Sequence, residues 1–274
     1  LQQQRSNRPH QTNNHRKHSR IHPTKRDTYH LILNMKKERL YKDLAKYYDR
    51  LYVMKDYKKE TEYVRKLIQK YKQSRGKDLL EVACGTGSHL LYLQKQFRCV
   101  GIDINKEMLA IARKKLKKIP FKKADMISFN LNKKFDIILC LFSSIGYVKS
   151  EKNLKKTLNS LNRHLKKGGL IIIEPWLTPK SFGPGKPHLT LFDENEIKIV
   201  RVTTSTVKGI ISLVDMHYLM AEKGKKVKHY EEQHELALFN KKTILKNFKE
   251  AGLQPIFLKK GLSKDRGLYI ALKP

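Results

Sequence analysis

Apolar residues along this chain fall into two alternating registers. Short, mostly apolar runs recur at Leu79–Ala83, Val100–Ile104, Phe135–Leu141 and Leu170–Glu174. Runs of this length, bounded by Gly, Lys or Asp, predict buried strands of a parallel sheet. Between them the spacing turns helical: Met108, Leu109, Ala112 and Leu116 share one face, as do Leu154, Leu158, Leu161 and Leu165. The second of these helices is predicted to stop at Gly168-Gly169. Strands alternating with helices predict an α/β, doubly wound, Rossmann-like sheet.

The flanks differ. Residues 1–34 are rich in Gln, Asn, Arg and His and lack periodicity, so they are expected to form a disordered basic tail. Met35 then reads as a natural start. Residues 36–73 are expected to be largely helical, with Leu40, Leu44, Tyr47, Tyr48 and Leu51 at helix spacing. Most of this stripe is expected to be core, and the tyrosine-rich segment around it can also cover a cofactor pocket, which needs aromatic walls and hydroxyl donors. The core runs over 35–178. Over 179–239 the pattern changes to a predicted antiparallel meander, Ile197–Val207, Ile210–Met220 and Val227–Phe239, read as an inserted β cap over a substrate. Residues 240–274 return to helix and strand and complete the core sheet.

Composition narrows the class. With 59 Lys+Arg against 25 Asp+Glu, the 274-residue chain carries a formal charge of +34. Such an excess raises nucleic acid as a partner. The lysines are spread over every helix and turn, whereas a nucleic-acid footprint is a clustered patch. A solvated basic surface is therefore favoured over a nucleic-acid interface. No apolar run reaches membrane-spanning length, and no secretory segment opens the chain. Cys84, Cys99 and Cys140 lie in or beside predicted core strands without C-x-x-C spacing. These features predict packed thiols, no membrane association and a cytoplasmic location. Homodimerisation is compatible with all of this.

The chemistry concentrates where the first strand meets the first turn, Glu81-Val82-Ala83-Cys84-Gly85-Thr86-Gly87-Ser88-His89. Gly85 and Gly87 permit positive φ and close approach of a ligand to the backbone. The helix start beyond them offers unpaired N–H groups. A dinucleotide fingerprint wants a third small residue where Leu90 stands, and Glu81 would repel a pyrophosphate. A sulfonium cofactor carrying an α-ammonium welcomes that carboxylate. Asp103, followed by Ile104 at the end of the second strand, is placed for ribose hydroxyls, and Asp125, followed by Met126, for an adenine amine. His229 and His234 fall on opposite faces of a strand and form no H-E-x-x-H, so no metal site is predicted.

Glu81, Gly85, Gly87, Asp103 and Asp125, in this order among alternating strands and helices, resemble the class I S-adenosylmethionine-dependent methyltransferases. A narrower resemblance rests on Tyr48–Tyr52 with Lys55-Asp56-Tyr57, Val82–His89, Phe142–Tyr147, Ile173–Trp176, Arg201-Val202 with Ser205, and Arg266-Gly267-Leu268. Together these are similar to the N,N-dimethyltransferases of nucleotide-linked amino sugars of the desosamine and mycaminose type. The resemblance implies that Tyr57, Ala83, Asp103, Asp125, Met126 and Leu141 contact S-adenosyl-L-methionine. It places Tyr52, Glu174, Pro175, Trp176, Arg201 and Arg266 near the acceptor. The acceptor amine must be neutral to attack; Tyr147 and His234, with His217 and Glu232, are candidates to take its proton, none as an essential base. The loop Leu262–Arg266 is more charged than the Gly-rich loop of that family. A methyltransferase of the same fold acting on another small molecule or on tRNA or rRNA is the alternative, although the Asn/Asp-Pro-Pro-Tyr tetrapeptide of exocyclic-amine DNA and RNA enzymes is absent.

Overall fold

A computed structural model of the protein describes Tyr41 and residues 44–274. The basic tail, Met35 and Leu40 lie outside the described residues. In chain order the strands are β1 (Asp78–Val82), β2 (Arg98–Asp103), β3 (Phe121–Lys123), β4 (Phe135–Cys140), β5 (Leu165–Ile173), β6 (His188–Glu194), β7 (Ile197–Lys208), β8 (Ile211–Glu222), β9 (Lys228–Ala237), β10 (Gln254–Leu258) and β11 (Leu268–Leu272). The helices are α1 (Tyr48–Leu51), α2 (Tyr57–Tyr71), α3 (Leu90–Leu93), α4 (Lys106–Lys115), α5 (Glu151–Arg163) and α6 (Lys241–Glu250).

A seven-stranded sheet runs β10-β11-β5-β4-β1-β2-β3. β1 to β5 are parallel, and β11 is antiparallel to both β5 and β10. Side chains alternate across each central strand. Leu80 and Val82 of β1, Ile138 and Cys140 of β4, and Ile171 and Ile173 of β5 pack on one face under α5 and α6. Leu79, Ile137, Leu139, Leu170 and Ile172 pack on the other, under α2, α3 and α4. The strands are therefore apolar throughout because both faces are covered. The order reverses between β1 and β4, and that crevice at their carboxyl ends is where such sheets bind ligands.

Two sequence expectations are corrected here. The helix carrying Leu154, Leu158 and Leu161 ends at Arg163, and Leu165 already belongs to β5, so Gly168-Gly169 lie within a strand. His164 ends the helix: its Nδ1 lies 2.8 Å from Ser160 O, Leu131 N donates to its Nε2, and Phe135 N donates to its carbonyl. These bonds serve helix-end groups that another turn would have paired. The antiparallel unit also holds four strands, β6-β7-β8-β9, not three. β6 was illegible because its outward Leu189 and Leu191 are 63% and 64% exposed and only Phe192 is buried.

The inner face of this second sheet, with Phe192, Ile197, Ile199, Tyr218 and Met220, meets Tyr47, Tyr48, Leu51 and Met108 in a third apolar cluster. Near this junction the turn Ser144–Val148 passes close to β9. A Cβ added to Gly146 would stand 3.1 Å from both Leu236 and Trp176, which explains a glycine there.

Candidate active site

The carboxyl ends of β1, β2 and β4 open into a cavity of about 230 Å³, lined by Tyr41, Tyr48, Gly85, Asp103, Phe142 and Tyr147 among others. Ala83, Ile104, Asp125 and Met126 also line it. A narrower lobe of about 40 Å³ shares Tyr48, Ala83, Gly85, Phe142 and Ser144 with it and adds Tyr57, Glu81, His89 and Leu141. Ala83, Gly85 and Gly87 all adopt positive φ, which folds the chain sharply after β1. Gly87 lines neither lobe: a Cβ there would stand 2.9 Å from Leu116 Cδ1, so its glycine serves packing against the end of α4.

Asp103 is 7% exposed and anchors the turn. Gly85 N donates to its Oδ2 and Asn105 N to its Oδ1, each at 2.8 Å. Burial raises its pKa, which the backbone donors only partly offset. The same carboxylate thus sets the glycine turn and faces the cavity. Beside it Ile104 stays 54% exposed, an apolar surface suited to a flat ring. Asp125 is exposed and accepts Ile127 N at 2.9 Å.

At the narrow lobe, sequence reasoning gave a cofactor role to Glu81 but none to most of the groups that surround it. Glu81 and His89 are 2% and 5% exposed. His89 Nδ1 lies 3.0 Å from Glu81 Oε1 and its Nε2 3.0 Å from Glu60 Oε2. Burial opposes the imidazolium, but the two carboxylates outweigh it and push its pKa up to about 9. Glu81 Oε2 is buried without a hydrogen-bond partner. Asp49 of α1 ties the aromatic segment to the glycine turn, accepting Thr86 Oγ1 at 2.6 Å, Ser88 Oγ at 3.2 Å and Lys115 Nζ at 2.8 Å. The sequence marked Glu81 at the strand end, Asp49 within Tyr48–Tyr52 and His89 closing the glycine motif, while Glu60 and Lys115 carried no signal.

On the substrate side the expected residues form a bracket around the β4 turn. Glu174, fully buried, accepts Phe142 N at 2.7 Å and Ser263 Oγ at 3.2 Å. Ser143 Oγ donates to Pro175 O at 2.8 Å and accepts from Arg266 Nη1 at 2.6 Å. Arg266 Nε and Nη2 also grip Asp265 at 2.8 and 3.0 Å, and its guanidinium lies 5.1 Å from the Trp176 ring. Trp176 Nε1 donates to Ser212 Oγ, which donates to Leu236 O. Arg201 donates to Tyr52 Oη at 3.1 Å and Thr190 Oγ1 at 2.9 Å, while its Nε is buried without a partner. None of Tyr52, Glu174, Pro175, Trp176, Arg201 or Arg266 lines the cofactor-sized cavity itself.

Tyr147 and His234 do come together. Tyr147 Oη, in the cavity wall, lies 2.8 Å from both Tyr41 Oη and His234 Nδ1. His234 Nε2 lies 3.0 Å from Glu232 Oε1 as an ion-pair contact without hydrogen-bond geometry. Tyr218 Oη donates to that same oxygen at 2.6 Å. Burial, reinforced by Tyr147, keeps Tyr41 a protonated phenol. His217 and His229 stand apart, on the outer face with Glu231: His217 Nδ1 and His229 Nε2 are 3.2 Å apart. His229 and His234 thus fall on opposite faces.

Comparison with known proteins agrees with this geometry. Residues 79–169 match the methyltransferase domain family. The chain is 33% identical over 233 residues to dTDP-3-amino-3,4,6-trideoxy-alpha-D-glucopyranose N,N-dimethyltransferase of Streptomyces venezuelae, covering 84% of this chain and 98% of that one. It is 32% identical to dTDP-3-amino-3,6-dideoxy-alpha-D-glucopyranose N,N-dimethyltransferase of Streptomyces fradiae, over 84% and 91% of the two chains. The crystal structure of Streptomyces venezuelae DesVI superposes with a TM-score of 0.79 at 32% identity, over 84% of this chain and 98% of that one. The chain belongs to the S-adenosylmethionine-dependent methyltransferases, among the amino-sugar N,N-dimethyltransferases. It is an enzyme, and S-adenosylmethionine is its cofactor. Among the described residues no helix is long and apolar enough to cross a membrane.

Proposed function

We propose that this enzyme N-methylates the amine of a small nucleotide-linked amino sugar. The observation that carries the reading is Tyr147: its hydroxyl stands in the cofactor cavity wall and contacts buried His234 on the second sheet. The second sheet thereby presents its polar groups where an acceptor meets the cofactor. Relatives over nearly the whole chain act on dTDP-amino sugars by name.

The cavity fits S-adenosylmethionine. Asp103 offers carboxylate lone pairs to the ribose, exposed Ile104 a surface to the adenine, and the orphaned Glu81 Oε2 an acceptor to the α-ammonium. When bound, the cofactor supplies an electrophilic methyl on a sulfonium leaving group. The protein's task is alignment and proton handling. Tyr147 Oη accepts a hydrogen bond from the neutral acceptor amine and so fixes its lone pair. After the new N–C bond forms, Tyr147 Oη takes the ammonium proton and passes its own to His234 Nδ1, beside the Glu232 carboxylate. Trp176 covers the flat part of the acceptor and Arg266 pairs with its diphosphate; Tyr52, Pro175 and Arg201 complete that wall, and Glu174 holds the turn between the two ligands.

The test is label transfer from methyl-labelled cofactor to a panel of nucleotide amino sugars, free amino sugars and total RNA. Label in the nucleotide amino sugars is the expected result. Label in RNA alone overturns the reading.

A further inference from the structure

The narrow lobe ends in a row of alternating charges that the transfer chemistry does not use. Lys55 pairs with Glu60 Oε1, Glu60 Oε2 meets His89 Nε2, and His89 Nδ1 meets Glu81 Oε1. These groups come from separate elements: Lys55 precedes α2, Glu60 lies in its first turn, Glu81 is on β1, and His89 precedes α3. Tyr57 packs edge-on against the imidazole, with ring centroids 4.9 Å apart. An imidazole can approach two carboxylates as a donor only when both nitrogens carry hydrogen. The arrangement therefore holds an imidazolium, whose Nδ1–H holds Glu81 by Oε1 while its Nε2–H is held by Glu60 Oε2. The oxygen turned away from His89, Oε2, is the one that is buried and unpartnered. A buried carboxylate oxygen with no donor is costly, and it points to a ligand that brings one.

We infer that His89, held between Glu60 and Glu81, is a positioning residue that presents Glu81 Oε2 to the α-ammonium of the cofactor's amino-acid tail. The inference rests on the placement of that tail in the narrow lobe. It goes further in one respect: recognition of the tail depends on α2, because Glu60 supplies the second clamp. Formal charge supports the assignment. Lys55, Glu60, His89 and Glu81 sum to zero, so an arriving ammonium meets a neutral group with one unpartnered carboxylate oxygen, with no cation left to repel it. A neutral amide at position 89 can donate to only one of the two carboxylates in the same geometry, and its oxygen repels the other.

Calorimetry of His89→Gln with S-adenosylhomocysteine and with 5′-methylthioadenosine, which lacks the amino-acid tail, tests this. Both retain the adenosine half. Affinity for S-adenosylhomocysteine should fall about ten- to hundredfold, the range for a charge-assisted contact. Affinity for 5′-methylthioadenosine should stay within about twofold of wild type, because Asp103 and Ile104 are untouched. In a second arm, His89→Gln combined with Glu81→Gln should bind S-adenosylhomocysteine no worse than Glu81→Gln alone, since both act through one contact. Equal losses for both ligands, additive losses in the double variant, or wild-type affinity in His89→Gln would each overturn the inference. If Glu81→Gln and His89→Gln both bind S-adenosylhomocysteine as wild type does, the placement of the tail fails as well.

Discussion

Glu174 at the end of β5 accepts the backbone N–H of Phe142 at the end of β4, 2.7 Å away and with no solvent exposure. Phe142 and Ser143 both hold positive φ, at 52° and 61°, a conformation that costs a side-chain-bearing residue free energy. The carboxylate offsets that cost by binding the N–H such a turn leaves unpaired. Phe142 lines the cofactor cavity and Ser143 holds Arg266, so one buried acid sets both ligand walls. Glu174→Ala should lower stability by about 1–3 kcal/mol, the cost of an unmet buried donor. It should also raise the KM for cofactor and acceptor together. Denaturant titration with steady-state kinetics checks this; a rise in acceptor KM alone would place Glu174 against the acceptor instead.

Asp103→Ala should weaken S-adenosylmethionine and S-adenosylhomocysteine alike by about 1–3 kcal/mol. The loss has two origins, because the carboxylate both faces the cavity and holds Gly85 N. Asp103→Asn separates them: its amide oxygen can still accept Gly85 N, so stability should recover more than affinity does. Calorimetry beside thermal denaturation gives both numbers.

How far the sequence discloses the site depends on whether a group works along the strand or across the fold. Glu81, Asp103, Asp125 and Leu141 are legible because strand ends in a parallel sheet line up, so residues far apart in sequence fall on one rim. Gly87 misleads for a local reason: the glycine spacing is right, but the space is filled by Leu116 from a later helix. Glu60 and Lys115 carry no periodic or motif signal, and Asp49 is marked only by lying within Tyr48–Tyr52. They act by meeting partners 27 to 66 positions away, such as Lys115 on Asp49, which only the packed core brings together. β6 escapes because an edge strand with one buried side chain has no apolar pattern to read.

Tyr147→Phe keeps the ring and removes the hydroxyl that contacts Tyr41 and His234. The cofactor Kd should not change, since the hydroxyl serves the acceptor amine. kcat should fall by about ten- to a hundredfold, the lower range for assistance by a positioned proton acceptor. Raising pH should recover part of the loss, because hydroxide from solvent then takes the ammonium proton that Tyr147 otherwise accepts. A variant with wild-type kcat at every pH would leave alignment as the whole of the catalysis.

His89 predicts a pH dependence of stability in the free enzyme. Its folded pKa of about 9 lies above the ordinary 6.5. A raised folded pKa means the folded state binds the proton more tightly, so the stabilisation is complete below pH 6.5 and disappears as pH rises through about 9. The groups facing the imidazole are Glu60, Glu81 and the Tyr57 ring, with Lys55 beyond Glu60. The contribution is on the order of 3 kcal/mol for a shift of that size. Subtracting the stability profile of His89→Gln from that of wild type isolates it from the lysines; a flat difference between pH 6 and 10 would contradict the assignment.

Asp265 and Arg266 make the sharpest test of the acceptor. The side of the guanidinium that would grip a diphosphate, Nε with Nη2, is filled by the neighbouring Asp265. Asp265 is 50% exposed on its side chain and Arg266 only 15%, so the acid can swing into solvent while the arginine stays on Trp176. An acceptor diphosphate must displace Asp265, and it competes for the same bidentate geometry. Asp265→Asn should therefore lower the acceptor KM several-fold, because a neutral amide competes less well. Arg266→Lys should raise it by about 1.5–3 kcal/mol, since an ammonium cannot reproduce the fork. Neither change should alter cofactor affinity, as neither residue lines its cavity. The opposite signs of the two effects are the diagnostic. If both variants raise the KM, Asp265 holds Arg266 in place for binding and does not compete with the ligand. If neither changes it, the diphosphate lies elsewhere, with the buried and unpartnered Nε of Arg201 as the next donor to remove.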